Sequence, residues 1–235
     1  MSKEENRQKA YDKWLNDERI YIKHKNGAVS RLTIEYDQCS ESPREWDNVC
    51  TIASKTGRWN IADKDEAYPF EEFKNKIEEL RRAEDAGDMY MRFVYMYDHG
   101  GQTISLQPFG DYWDSGVCGV IFVSKGTIFK ELLNVTDDNW KERAYKIMEN
   151  EIEIYNQYIK GEIYGYTLEK AEIIDCKERT SGKEWSMIEW ESEDSCCGFY
   201  GDLFKSGLMD EAILKEDEIL DFKNDGEVIE YLLNN

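Results

Sequence analysis

Met89-Tyr90-Met91-Arg92-Phe93-Val94-Tyr95-Met96 leads into Asp98-His99-Gly100-Gly101 and out again through Thr103-Ile104-Ser105-Leu106. The first run is rich in aromatic and large apolar residues, which suit a pleated, half-buried surface, and paired glycines favour a turn. Strand, tight turn and strand make a hairpin, so these neighbouring strands run antiparallel. The same grammar recurs on both sides. Ile20-Tyr21-Ile22 and Leu32-Thr33-Ile34-Glu35-Tyr36 flank Asn26-Gly27, a pair favoured where both turn residues need positive φ. Tyr164–Ile174 and Glu184–Glu191 are two further strands joined by a turn containing Ser181-Gly182. Gly119–Val123 is short and wholly apolar, as expected of a strand inside a sheet.

Helical spacing lies between these strands. Residues 4–17 carry Ala10, Trp14 and Leu15 as a short apolar stripe. Over Tyr68–Ala86, Phe70, Phe73, Ile77 and Leu80 recur at three- and four-residue intervals before Gly87. The longest helix is expected from Asp137 to Lys160, with Thr136 as N-cap and Trp140, Ala144, Ile147, Ile154, Tyr158 and Ile159 facing inward. The tail predicts helix again over Leu208–Asp217 and Gly226–Leu233, and the stretch through about residue 66 reads as loop. Hairpin connections outnumber regular crossovers, so the expected class is α+β: a mainly antiparallel sheet with hairpins, flanked by about four helices. Three prolines and no Gly/Ser-rich stretch mark no linker. Residues 1–235 are therefore read as a single domain, or as two lobes packed without a flexible hinge, with an acidic C-terminal region at 184–235.

Fifty acidic residues face 30 basic ones, a net charge of −20. Residues 161–235 hold 20 acids against 7 bases, leaving a net of −7 for the first 160. Aromatics at 13% argue for a folded chain despite a mean hydropathy of −0.75. Such a charge repels nucleic acid and anionic membranes and is drawn to basic protein grooves by steering that salt weakens. No apolar run approaches the roughly 20 residues that span a bilayer, and Met1–Gln8 lacks the apolar centre of a signal peptide. The expectation is a cytoplasmic protein. The six cysteines are scattered and are read as reduced and mostly buried.

Neither a phosphate-binding loop, a Gly-x-Ser-x-Gly elbow nor a Cys-x-x-Cys pair occurs, and His24 and His99 are isolated along the chain. No metal or cofactor is expected. Asp98 beside His99 is the one pairing suggestive of acid–base chemistry, with an Asp-Ser-x-x-Gly segment supplying a third residue. The alternative is a hairpin turn whose side chains cap backbone amides. The loop Arg44, Glu45, Trp46, Asp47 mixes both charges with an aromatic, a composition suited to recognition or to a loop pinned by an Arg44–Asp47 contact. In the tail, Asp210, Glu211, Asp217, Glu218, Asp221 and Asp225 are candidates for a row of carboxylates on a helix surface. Asp210 to Asp221 lacks the central glycine and alternating ligands of a calcium loop.

Several stretches occurring together in this order carry a resemblance: Glu41-Ser42-Pro43-Arg44-Glu45-Trp46-Asp47-Asn48, Tyr97–Ser105, Trp113–Lys125, Tyr155-Asn156-Gln157-Tyr158, Gly161–Tyr166 and Asp194–Gly201. They are similar to a group of uncharacterised proteins encoded by bacteriophages and other mobile elements. The resemblance spans about residues 20 to 202 and leaves the acidic tail largely outside. It implies a genomic setting and no reaction. With the charge, it gives the leading expectation: a non-enzymatic phage accessory protein that inhibits a host restriction or CRISPR complex. An acidic, nucleic-acid-mimicking face would enter the partner's basic groove, with no direct contact to nucleic acid or membrane. The alternatives are a hydrolase using Asp98 and His99, and a phage structural or assembly protein.

Overall fold

The structure, a computed structural model, describes residues 2–178, 180 and 182–235. In chain order its elements are α1 (Lys3–Leu15), β1 (Ile20–Lys23), β2 (Val29–Tyr36), β3 (Thr51–Lys55), β4 (Ala67–Tyr68), α2 (Phe70–Asp85), β5 (Met89–Asp98), β6 (Gln102–Ser105) and β7 (Ser115–Ser124). There follow α3 (Lys125–Glu131), α4 (Trp140–Lys160), β8 (Ile163–Lys177), β9 (Glu184–Tyr200), α5 (Leu208–Ala212), β10 (Glu218–Leu220) and α6 (Asp225–Asn234). The fold is α+β, with two sheets that are antiparallel except for the β3–β4 pair. Among the described residues no helix is long and apolar enough to cross a membrane.

The chain forms two compact units. The first joins Met1–Ser40 to Ile163–Asn235, and the second is Glu41–Glu162, inserted between β2 and β8. In the first unit the strand order is β10-β1-β2-β8-β9. Successive side chains of a strand point to opposite faces, and this sheet uses both. Ile20 and Ile22 pack with Ala10 of α1 and Leu208 and Met209 of α5, while Tyr21 packs with Val228 of α6 and with Trp190.

In the second unit the order is β4-β3-β7-β5-β6, which puts the apolar β7 in the middle as its sequence requires. On one face α4 packs Trp140, Ala144, Met148 and Ile152 against Ile52, Val94 and Ile121. On the other, Phe73 and Leu80 of α2 meet Ala53, Met91 and Val120. β3 and β7 approach so closely that a Cβ on Gly119 would lie 2.8 Å from the Ala53 carbonyl oxygen. Only glycine fits there.

Several expectations change. The stretch read as loop contains β3, a five-residue core strand with Ile52 as its one large apolar residue, too short to show an alternating pattern. The fully buried stripe of α4 runs through residues 140, 144, 148 and 152, with Ile147 and Ile159 packed against the same core but only partly buried and Ile154 half-buried. Asn139, not Thr136, precedes that helix, and its side-chain oxygen accepts from the Thr136 amide at 2.8 Å. Helix α5 stops at Ala212, short of the expected Asp217, and Glu218–Leu220 beyond it is a strand paired with β1. Ser181 of the expected turn lies outside the described residues.

Candidate functional site

The acidic tail does not form a free row of carboxylates, because the basic N-terminal segment folds against it. Residues 1–40 hold 8 Lys/Arg against 7 Asp/Glu. Asp210 pairs with Arg7 and with Lys3, the latter at 3.4 Å. Asp221 pairs with Lys9 at 2.8 Å and Glu218 with Lys23 at 3.5 Å. Asp225 accepts hydrogen bonds from Arg19 at 3.0 Å, the Tyr21 hydroxyl at 2.7 Å and the Trp190 indole at 3.3 Å. Glu211 is exposed beside Cys196. Exposed ion pairs of this kind stabilise little, but they occupy the carboxylates. The asymmetry along the chain therefore disappears in space: the first unit carries 26 acids against 15 bases, and the second 24 against 15.

Asp217 belongs to a different environment. Its side chain is 3% exposed and accepts from the Leu214 amide at 2.8 Å and from His24 Nδ1 at 2.9 Å. His24 Nε2 lies 2.8 Å from Ser30 Oγ, whose hydroxyl donates to Glu193 at 2.9 Å. When the Ser30 hydroxyl donates to Glu193 it accepts from Nε2, an arrangement that the protonated ring satisfies between the two carboxylates. The hydrogen bond to Asp217 raises the His24 pKa above its ordinary 6.5, against the opposing effect of burial. Serine, histidine and aspartate thus line up in the order of a hydrolytic triad. However, Ser30 is completely buried and its hydroxyl also lies 2.9 Å from Glu193, unlike the exposed nucleophile of a hydrolytic site. A cavity of about 650 Å³ lies beside this network, lined by His24, Lys25, Leu214, Lys215 and Glu216 among others.

Arg44 is likewise withdrawn from recognition. Its side chain is 5% exposed and binds Asp63 with two nitrogens, at 2.7 and 2.8 Å, Glu151 at 2.8 Å and the Cys50 carbonyl at 2.8 Å. Asp63 also accepts from the Ile52 amide, and Glu151 from the amides of Val49 and Cys50. Arg44 therefore ties the 43–50 loop to β3 and α4 and does not pin the loop through Asp47. Glu45, Trp46 and Asp47 remain at the surface, with Trp46 44% exposed.

At the β5–β6 turn, Asp98 does not orient His99. Its carboxylate accepts from the Trp59 indole and the Arg58 guanidinium, each at 2.7 Å, and the Trp59 bond holds its pKa below the ordinary value. His99 instead meets Asp114 at 3.0 Å, the first residue of Asp114-Ser115-Gly116-Val117-Cys118-Gly119, and its side chain is 71% exposed. The Asp-Ser-x-x-Gly segment itself is Asp194–Gly198, and among the described residues no contact joins it to His99. Cys118 is fully buried with its thiol on the Val94 carbonyl. Burial pushes it up to about 12, far from a nucleophilic thiolate. Beside His99, the loop Phe109–Asp114 presents Tyr112 at 92% and Trp113 at 96% exposure. Neither ring stands out in the sequence, since composition alone does not distinguish an exposed tryptophan from a buried one.

Among the described residues no group of three or more His, Cys, Asp or Glu side chains is placed to hold a metal ion. All six cysteines are free thiols, but only Cys50 and Cys118 are buried, and Cys39 and Cys197 are exposed. The expectation of mostly buried cysteines is corrected accordingly. Alkylation of the native protein at pH 8, mapped by mass spectrometry, is expected to modify Cys39 and Cys197 first. Cys50 and Cys118 should react only after denaturation. No protein-family model, no curated protein and no solved structure matches this chain.

Proposed function

We propose that this chain is a non-enzymatic binding protein that docks on a basic, nucleic-acid-handling surface of another protein and competes there with nucleic acid. The observation that supports this reading is the acidic surplus of both units, which internal pairing rearranges without neutralising. Phosphate contacts dominate affinity in nucleic-acid grooves, so carboxylates at comparable density can occupy the same Lys and Arg side chains. The tail residues Asp217, Glu218, Asp221 and Asp225 serve the fold of the first unit, so the docking face is assigned to carboxylates outside these pairs. The resemblance to chains of phages and mobile elements makes host restriction and CRISPR complexes the first partners to test.

The test is a binding isotherm against purified complexes of this kind between 50 and 200 mM salt, with duplex DNA as competitor. Affinity is expected to fall by at least about tenfold over that range and to be lost on adding DNA. Binding that ignores both salt and DNA would sink the reading.

A further inference from the structure

Trp113 and Tyr112 are almost wholly in water, yet their loop is braced. One Asp111 carboxylate oxygen accepts the amides of Trp113, at 2.8 Å, and Asp114, at 3.4 Å. The Ser115 hydroxyl donates to the Asp111 carbonyl, and the Asp114 carbonyl accepts the Asp98 amide at 2.8 Å. His99 holds the Asp114 side chain, and Phe109 leans on Tyr97 with ring centroids 5.7 Å apart. A loop fixed in this way spends little further conformational entropy on binding.

Exposed tryptophan and tyrosine on a pre-organised loop are the residues that dominate binding energy at protein interfaces. Here they stand between two aspartates, an arrangement of planar rings beside anionic groups like that of bases beside phosphates. Single-strand-binding grooves are built for that combination, with aromatic platforms for the rings and Lys/Arg for the charge. We propose that the Phe109–Asp114 loop is the anchor of the docking face, inserting Trp113 and Tyr112 into a base-stacking groove of the partner. This rests on the proposed competition with nucleic acid. Charge decides among occupants: a second copy at −20, or a nucleic acid strand, would be repelled by this chain, whereas a basic groove attracts it.

The experiment uses a purified single-stranded-DNA-binding protein of the OB-fold type carrying fluorescent oligo(dT), and a duplex-groove-binding protein carrying fluorescent duplex. The full chain is expected to displace oligo(dT), and Trp113→Ala/Tyr112→Ala to do so at least about 30-fold more weakly with unchanged thermal stability, since neither ring is buried. Displacement equal to that of the parent would overturn the anchor while leaving the acidic reading intact. The same follows if the parent displaces only duplex, if it binds free oligo(dT) itself, or if sedimentation shows Trp113-dependent self-association. Displacement from neither protein at 50 mM salt would remove the acidic reading as well.

Discussion

Arg44→Ala is expected to destabilise the Glu41–Glu162 unit by about 3–5 kcal/mol, the range for breaking a buried ion pair by deleting one partner. The magnitude follows from what is left behind. Asp63 and Glu151 are 18% and 11% exposed, and both would remain as poorly solvated carboxylates without their shared cation. They would still hold the amides of Ile52, Val49 and Cys50, so their mutual repulsion falls on β3 and on the loop before it. Arg44→Lys is expected to recover only part of the loss. An ammonium cannot make the two-nitrogen contact with Asp63 while also reaching Glu151 and the Cys50 carbonyl. Urea unfolding of the three proteins checks this. A loss below about 1 kcal/mol for the alanine variant would mean that the network contributes little net energy.

The second large effect is a dependence of stability on pH, carried by His24. Its pKa is raised in the folded protein, so the native state holds a proton that the unfolded chain releases near the ordinary value of about 6.5. The contribution is therefore complete below that value and is lost as pH rises through the folded one. Stability of the first unit should decline across this window. Besides Asp217, the charged groups around His24 are Glu193, Lys25, Lys215 and Glu216, and the ion pair with Asp217 is the shortest. Asp217→Ala removes that partner and also leaves the Leu214 amide without its acceptor, a loss of about 2–4 kcal/mol at pH 6. His24→Gln should flatten the pH profile. Urea midpoints at pH 6 and pH 9 measure both, and a profile that stays sloped in His24→Gln would assign the dependence to another group.

The hairpin grammar was legible because a turn and its two strands are contiguous, and β5–β6, β1–β2 and β8–β9 all form where the residues indicate. β3 was not legible. Its Ala53 carbonyl lies where β7 comes so close that only glycine fits at position 119, and Ile52 is its one large apolar residue, too few to show an alternating pattern. The site residues divide similarly. His24 read as isolated because Asp217 is 193 positions away, and Arg44 reaches partners 19 and 107 positions away. The acidic tail misled for a related reason: spacing reports charge along the chain, whereas ion pairing depends on which segment folds against it. Of the recognition loop, Glu45, Trp46 and Asp47 stay exposed.

Between β2 and β8 lies the whole of Glu41–Glu162, yet the strands pair directly and the Asp37 amide donates to the Ile163 carbonyl at 2.8 Å. For the outer sheet, the inserted unit is a loop whose ends must be held together. Closing a floppy loop carries an entropy that grows with its length, about 0.6 kcal/mol for each doubling. A folded insertion has already fixed its own ends and acts as a clasp. If it melts, the outer sheet must close the same span as random coil. The backbone connection thus passes stability from one unit to the other, and a lesion at Arg44 would be felt at the β2–β8 seam.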